Sequence, residues 1–283
     1  MKKVVVTGGS GRLGAYTVDH FLDSGYDVLN IDTAKPKDSV KARFMTVNLT
    51  NLGECYSALA GADAVVHLAA IPVAFRYPNE VTFENNVMAT YNILEAAAGL
   101  GIQKVVIASS EASYGIVYAK DRLIPQYVPM DEDHPQLPED CYGLSKIVAE
   151  KAAEAFNRRT GMQVVSLRLG NVISAEKYKE FPGFIHNTPQ RQRLLWSYID
   201  ARDAAVACRL AIEADGLGAI ALNIAADDTS MDVKSIDLMK ACYPEVTDIR
   251  VAIDNYHTLL SNDKAKKVLN WKPIHSWREN VQL

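Results

Sequence analysis

Tyr142 and Lys146 have the residue types and the spacing of a proton-transfer pair. Side chains four residues apart lie on one face of a helix, and the segment from Tyr142 to Thr160, which Gly161 ends, predicts a long helix. A phenol has a pKa of about 10, and a nearby ammonium stabilises the phenolate. We therefore expect Lys146 to lower the pKa of Tyr142, so that the phenol acts as an acid or a base near neutral pH.

A glycine-rich segment at residues 7–14 has the pattern of a phosphate-binding loop. A short β-branched run, Val4–Val6, precedes it, and a predicted helix follows. Glycines permit a tight turn, and the free amides at the start of the helix favour a pyrophosphate. The segment contains both G-x-G-x-x-G and G-x-x-G-x-x-G, whose glycines are Gly8, Gly9, Gly11 and Gly14.

Asp32 ends the second predicted strand, 18 residues after Gly14. A carboxylate at this point accepts hydrogen bonds from adenosine ribose hydroxyls and repels a 2′-phosphate, which favours NAD over NADP. Arg12 and Lys35 could soften this repulsion. The alternative is that Asp32 merely caps a turn.

Ser109 and Ser110 end the fifth predicted strand. In a parallel sheet with helices on both faces, ligands bind at the carboxyl ends of the strands. We therefore assign the Ser110 hydroxyl to the substrate oxygen, with capping of the strand end as the alternative.

Strands alternate with helices along most of the chain, and the strands are short apolar runs without polar alternation. This pattern predicts an α/β fold with a Rossmann-type, doubly wound parallel sheet. We place the NAD-binding core at residues 1–172. Residues 173–283 are expected to form mainly a small substrate-binding lobe, with some elements returning to the core. Residues 117–138 carry several prolines and acids and predict a loop or lid.

The composition argues against several classes of protein. The 283 residues carry a net charge of −4 with no basic block, so we expect neither a nucleic-acid partner nor a membrane partner. The four scattered cysteines and six histidines show no disulfide or metal spacing. No apolar stretch is long enough for a signal peptide or a membrane span, which favours a cytoplasmic location.

These motifs together resemble the extended short-chain dehydrogenase/reductase family of NAD-dependent epimerases and dehydratases. The resemblance implies bound NAD, a Ser110–Tyr142–Lys146 triad and a homodimer formed through helices around residues 86–98 and 143–160. Further motifs that carry it are His67-Leu-Ala-Ala70, Tyr114-Gly115, Leu167-Arg-Leu-Gly-Asn171 and Lys264 to Pro273. It also implies cofactor contacts, beyond the loop and Asp32, from Asn48, Leu49, Leu68, Ala69, Ala70, Asn86 and Leu169. Gly8, Gly11, Arg12, Leu13 and Gly14 would hold the phosphates, and Ser110, Glu111 and Asn171 would meet the substrate.

Nucleotide-sugar epimerases and dehydratases in this family carry an Arg-Asp pattern whose arginine meets a phosphate. This chain has Trp196-Ser197 at that place. The segment that leads there from residue 173, the excursion from the core, is short. The short excursion resembles that of uronate dehydrogenases, in which an arginine meets the substrate carboxylate. Arg193 matches that arginine best, although Arg191 is close, and either side chain could instead be a solvated surface charge.

The sequence thus predicts an NAD-dependent enzyme that oxidises a free sugar or sugar acid, such as an aldose or a uronate, at its anomeric carbon. One alternative is a nucleotide-sugar 4-epimerase or dehydratase that keeps its NAD. A second alternative is a non-catalytic NAD sensor, which would need Asp32 but neither Tyr142 nor Lys146.

Overall fold

A seven-stranded parallel sheet forms the centre of the computed structural model, which describes residues 2–36 and 41–281. The strand order is β3-β2-β1-β4-β5-β6-β9, so the order reverses between β1 and β4. These strands are β1 (Lys3–Thr7), β2 (Asp27–Asp32), β3 (Arg43–Thr46), β4 (Ala64–His67), β5 (Lys104–Ser110), β6 (Gln163–Leu169) and β9 (Ala219–Ile224). The predicted Rossmann-type fold is confirmed.

Helices cover both faces of this sheet. The helices are α1 (Arg12–Asp23), α2 (Leu52–Leu59), α3 (Asn79–Gly99), α4 (Cys141–Thr160), α5 (Ala201–Glu213), α6 (Ser235–Cys242) and α7 (Asp263–Leu269). In β1, Val4 and Val6 pack into a core that contains residues of α1 and α5. Val5 packs into the opposite core with residues of α2, α3 and α4. Because both faces of the strand are buried, its sequence is apolar without alternation.

The sequence from Asn85 to Ala98 predicts a helix, and the observed helix α3 begins six residues earlier, at Asn79. Asn79, Glu80 and Val81 in its first turn are exposed and the buried residue Thr82 is polar, so this turn carries no apolar periodicity that would reveal a helix. The start of α4 at Cys141 lies one residue from the prediction, since the Asp140 side chain caps it by accepting a hydrogen bond from the Gly143 amide at 2.7 Å.

The chain after residue 172 contributes to both the sheet and a separate layer. Strand β9 pairs with β6, and α5 packs against α1. A short two-stranded sheet joins β7 (Val172–Ile173) to β8 (Ile199–Asp200). The predicted division at residue 172 stays a prediction.

Residues 117–138 contain no helix and no named strand, and they are held against the C-terminal part of the chain by two isolated β-bridges. These bridges join Val128 to Ile249 and Met130 to Leu260. None of the helices in the described ranges is both long enough and apolar enough to pass through a membrane.

Candidate active site

The glycine-rich loop joins β1 to α1 at the point where the strand order reverses. A Cβ atom on Gly14 would lie 2.0 Å from the Gly8 carbonyl oxygen, and one on Gly8 would lie 2.6 Å from the Ala69 amide nitrogen. Gly11 precedes the first turn of α1, and no side chain of the described residues caps the free amides there. This tightly folded loop with unoccupied amide donors fits a pyrophosphate.

Asp32 lies at the carboxyl end of β2, beside this loop. One carboxylate oxygen accepts a hydrogen bond from the Ser10 amide at 3.1 Å. The other accepts hydrogen bonds from the amides of Thr33 at 2.7 Å and Ala34 at 3.2 Å. Asp32 therefore does cap a turn, and its carboxylate also lines the cleft in which a ribose would lie.

A single cleft of about 660 Å³ connects the glycine-rich loop to the carboxyl end of β5. Most of the residues predicted to contact the cofactor line it, namely Gly8, Gly11, Arg12, Leu13, Gly14, Asp32, Asn48, Leu49, Leu68, Ala69, Ala70, Tyr142, Lys146 and Leu169. The predicted substrate residues Ser110, Glu111 and Asn171 line the other end. The structure thus brings the two predicted half-sites into one continuous space.

Ser110, Tyr142 and Lys146 meet at this second end because β5 and the start of α4 adjoin each other. The Lys146 ammonium lies 5.4 Å from the centre of the Tyr142 ring and donates a hydrogen bond of 2.8 Å to the Ala108 carbonyl. The Ser110 side chain hydrogen-bonds Tyr142 and also accepts a hydrogen bond from the Ala112 amide at 3.1 Å. Ser110 therefore caps the strand end as well as facing the phenol.

Burial controls the acidity of this group. Burial raises the pKa of Tyr142 above its ordinary value, and the hydrogen bond with Ser110 opposes that rise. Burial lowers the pKa of Lys146 to about 8, and the negative charge of Glu150 opposes that change. The pKa of Tyr142 therefore lies above its ordinary value, contrary to the expected fall, because removing the phenol from water outweighs the hydrogen bond with Ser110 and the nearby acidic groups add to the rise.

Asn86 does not line the cleft, although its neighbour Asn85 does. Its side chain is buried, accepts a hydrogen bond from the Ile71 amide at 2.8 Å and donates to the Ile71 carbonyl at 3.1 Å. It also donates to the Ser145 hydroxyl at 3.3 Å. Asn86 therefore holds the cleft-lining loop after β4 in place, and the predicted direct contact with the cofactor gains no support.

Arg193 lies outside the cleft as well. It is exposed, lines a neighbouring concavity with Tyr118 and donates a hydrogen bond of 2.6 Å to the Ala119 carbonyl. Arg191 instead points inward and contacts Asn171. Arg191 directly precedes a tight turn at residues 192–194 and Arg193 lies within it, and side chains two apart in such a turn lie on different sides of it. Spacing alone could not decide between them.

The structure adds cleft residues that the sequence did not indicate, among them Arg76, Tyr118 and Leu194. Tyr118 packs edge-on against Tyr142, with ring centres 6.2 Å apart. It lies in the irregular segment after β5, where neither a motif nor a periodicity marks its position.

Comparisons with known proteins show the family of the chain. The model of the NAD dependent epimerase/dehydratase family matches residues 4–225. The UDP-glucose 4-epimerase of Lacticaseibacillus casei is 32% identical over 182 residues, which are 61% of this chain and 52% of that enzyme. This chain thus spans about half the length of that relative. The L-arabinose 1-dehydrogenase (NAD(P)(+)) of Haloferax volcanii is 29% identical over 219 residues, which are 76% of this chain and 84% of that enzyme.

Solved structures share the fold. A short-chain dehydrogenase/reductase superfamily protein from Agrobacterium tumefaciens, solved with bound NAD, has a TM-score of 0.75 at 21% identity and covers 98% of this chain and 94% of its own. A mutated uronate dehydrogenase has a TM-score of 0.70 at 21% identity and covers 99% of this chain and 85% of its own. The predicted family and its NAD dependence are confirmed by the family match. The chain belongs to the NAD dependent epimerase/dehydratase family.

Proposed function

We propose that this enzyme oxidises a free sugar or sugar acid at its anomeric carbon, with NAD as the oxidant. The observation that carries the proposal is that Ser110, Tyr142 and Lys146 line the same cleft as the phosphate loop. A substrate hydroxyl bound at the Ser110 end would therefore lie in the same cleft as the dinucleotide, with no wall between them. The product of oxidising a cyclic sugar at this carbon would be a lactone.

Each member of the triad has a distinct task. Ser110 and Tyr142 would bind the substrate hydroxyl, and Tyr142 would take its proton. NAD, when bound, supplies the carbon that accepts the hydride. The Lys146 ammonium, fixed by the Ala108 carbonyl, would hold the nicotinamide ribose and stabilise negative charge on the phenol. The loop glycines and Asp32 would hold the pyrophosphate and the adenosine ribose.

The region after β7 supports a free sugar over a nucleotide sugar. Trp196 is fully buried and donates a hydrogen bond of 2.8 Å to the Thr188 carbonyl, and Ser197 is also fully buried. Core residues therefore occupy the place where a phosphate-binding arginine was expected in epimerases. The arginines on the cleft wall are Arg12 at the phosphate loop and Arg76, which is exposed. A bound diphosphate is ordinarily contacted by an arginine, and here no arginine occupies the place of Trp196 and Ser197.

A panel of free aldoses, uronates and nucleotide sugars tests the proposal. We expect NADH to accumulate with at least one free sugar. The second candidate is a UDP-hexose 4-epimerase, which the similarity to the L. casei enzyme favours. If UDP-hexoses are interconverted and no free sugar yields NADH, the epimerase is correct. Binding of NAD without turnover of any sugar in the panel would instead support the sensor.

We also propose a homodimer formed through α3 and α4, which pack side by side. These helices expose apolar side chains at Val81, Met88, Tyr91 and Leu144. Neighbouring apolar residues on a surface are typical of a contact between subunits. Sedimentation of the wild type and of a Met88→Asp variant tests this, because the charge should shift the mass toward a monomer.

A further inference from the structure

The Arg191 guanidinium forms hydrogen bonds with other residues of this protein. Its three guanidinium nitrogens donate hydrogen bonds to the Ser230 hydroxyl at 2.8 Å, the Asn171 side-chain oxygen at 3.1 Å and the Ser197 carbonyl at 2.8 Å. Arg191 does not line the cleft, whereas Asn171 does. The guanidinium therefore stands behind the cleft wall and is already bonded in three directions.

Because the Asn171 oxygen accepts a hydrogen bond from Arg191, the orientation of its amide is decided. The Asn171 NH₂ group remains as a donor on a residue that lines the cleft. Arg191 thus acts through Asn171 and is a positioning residue.

Glu111 supplies an acidic group at the same end of the cleft. It follows Ser110 directly, is buried and lines the cleft. Arg191 favours its ionised form, but burial dominates and raises the pKa of Glu111 to about 8. The Ser197 hydroxyl and the Asn171 backbone lie beside this carboxyl group and have weaker effects in the same direction as Arg191. The wall therefore presents a carboxyl group and an amide donor beside the reacting hydroxyls.

Resting on the proposed function, we infer that the substrate end of the cleft selects an uncharged aldose over a uronate or another anionic sugar. Glu111 and Asn171 would bind sugar hydroxyls, since a carboxyl group accepts from one hydroxyl while an amide NH₂ donates to another. A substrate carboxylate there would face Glu111. The Arg191 guanidinium already donates hydrogen bonds to Asn171, Ser197 and Ser230. Such a carboxylate would lose its water without gaining a cation.

Two exposed arginines are the rival partners for an anionic sugar. Arg76 lines the cleft, and Arg193 lines the adjoining concavity. Exposed cations add little to the binding of an anion in water, so neither is expected to reverse the preference.

Matched sugar pairs that differ only at the carbon farthest from the anomeric centre test the inference. We expect kcat/KM for glucose to exceed that for glucuronate by tenfold or more, and the same for galactose over galacturonate. Above pH 8, where Glu111 is mainly ionised, Glu111→Gln should lower the ratio of kcat/KM for the aldose to kcat/KM for the uronate several-fold. Arg191→Met should raise KM for the aldose through the loss of Asn171 orientation, with a smaller effect on kcat.

Two results would overturn this inference alone: a uronate oxidised as efficiently as its aldose, or uronate turnover that Arg76→Ala or Arg193→Ala selectively removes. Both leave NADH release from a free sugar intact, so the proposed function would stand. If no free sugar yields NADH while a nucleotide sugar is converted, the proposed function and the inference fall together. Thermal melting of each variant shows whether it is folded.

Discussion

The Lys146 ammonium lies 5.4 Å from the centre of the Tyr142 ring, and the Ala108 carbonyl holds it there with a hydrogen bond of 2.8 Å. The cation is therefore anchored by strand β5, while the phenol is carried by helix α4. Both side chains start from α4, so the strand fixes only where the ammonium lies relative to the phenol. Since burial raises the pKa of the phenol, the proposed proton transfer requires a nearby positive charge to stabilise the phenolate.

We predict that Tyr142→Phe lowers kcat for sugar oxidation by about 100-fold or more, because the variant lacks the group that takes the proton. The ring and its packing are retained, so NAD affinity should change less than threefold. NADH formation and titration with NAD measure the two effects. Comparable turnover in the variant would show that another group accepts the proton.

We predict that kcat/KM for NAD falls as the pH rises through about 8, because burial lowers the pKa of Lys146 to that value and its charged form exists below it. Glu150 raises the pKa of Lys146, so Glu150→Gln should shift the alkaline limb to lower pH. The profile of kcat/KM reports groups of the free enzyme.

The matched control for this shift is Glu154→Gln, four residues further along α4. Glu154 faces solvent and pairs with Lys151 at 2.7 Å. Its replacement should leave the alkaline limb of the kcat/KM profile at the same pH. Glu150 is buried and paired with Arg168 at 2.8 Å, so its variant should also melt at a lower temperature. An unchanged pH limb in a folded Glu150→Gln protein would contradict the prediction.

We predict that Asp32→Ser raises KM for NAD by about tenfold, since one ribose contact is worth roughly 1.4 kcal/mol. KM for NADP should fall, because the negative charge that repels a 2′-phosphate is gone. The ratio of kcat/KM for the two cofactors measures the change. Asp32→Asn serves as the control, since the amide retains one acceptor for the amides of Ser10 or Thr33. If neither variant changes the ratio of kcat/KM for NAD to kcat/KM for NADP, Asp32 only caps the turn and does not select the cofactor.

We predict that His67 makes the fold sensitive to acid. The imidazole is buried between the hydroxyls of Thr7 at 2.7 Å and Thr90 at 3.1 Å. Burial, with a smaller effect of Lys146, lowers the pKa of His67 to about 3. The unfolded chain binds this proton below about pH 6.5 and the folded chain does not, so stability is lost as the pH falls from 6.5 towards 3.

At pH 4 this loss is on the order of 3 kcal/mol relative to pH 7. Urea unfolding of the wild type and of His67→Gln at both pH values measures it. The variant should be less stable at pH 7, because it loses a well-fitted hydrogen-bonding ring, and should decline less on acidification. An equal decline in both proteins would exclude His67 as the source.

The positions of the glycine-rich loop and of the Tyr142 and Lys146 pair were predictable from the sequence because they depend on short stretches of chain. Gly8, Gly11 and Gly14 adjoin both a strand and a helix, and their spacing alone dictates how closely the backbone can fold. Tyr142 and Lys146 share a helix face through their four-residue spacing. Apolar runs such as Val4–Val6 indicate strands with both faces covered, which predicts the parallel sheet.

The substrate end of the site depended on the tertiary structure. Arg191 and Arg193 have the same charge and nearly the same position in the sequence, and only the direction of an irregular turn makes Arg191 half-buried and Arg193 exposed. Glu111 and Arg191 are far apart in the chain, and the electrostatic effect of one on the other exists only once β5 and the segment before β8 are packed together. The pKa of Tyr142 was mispredicted for the same reason: spacing reports which charge is near, whereas burial of the phenol is set by residues contributed from many parts of the chain.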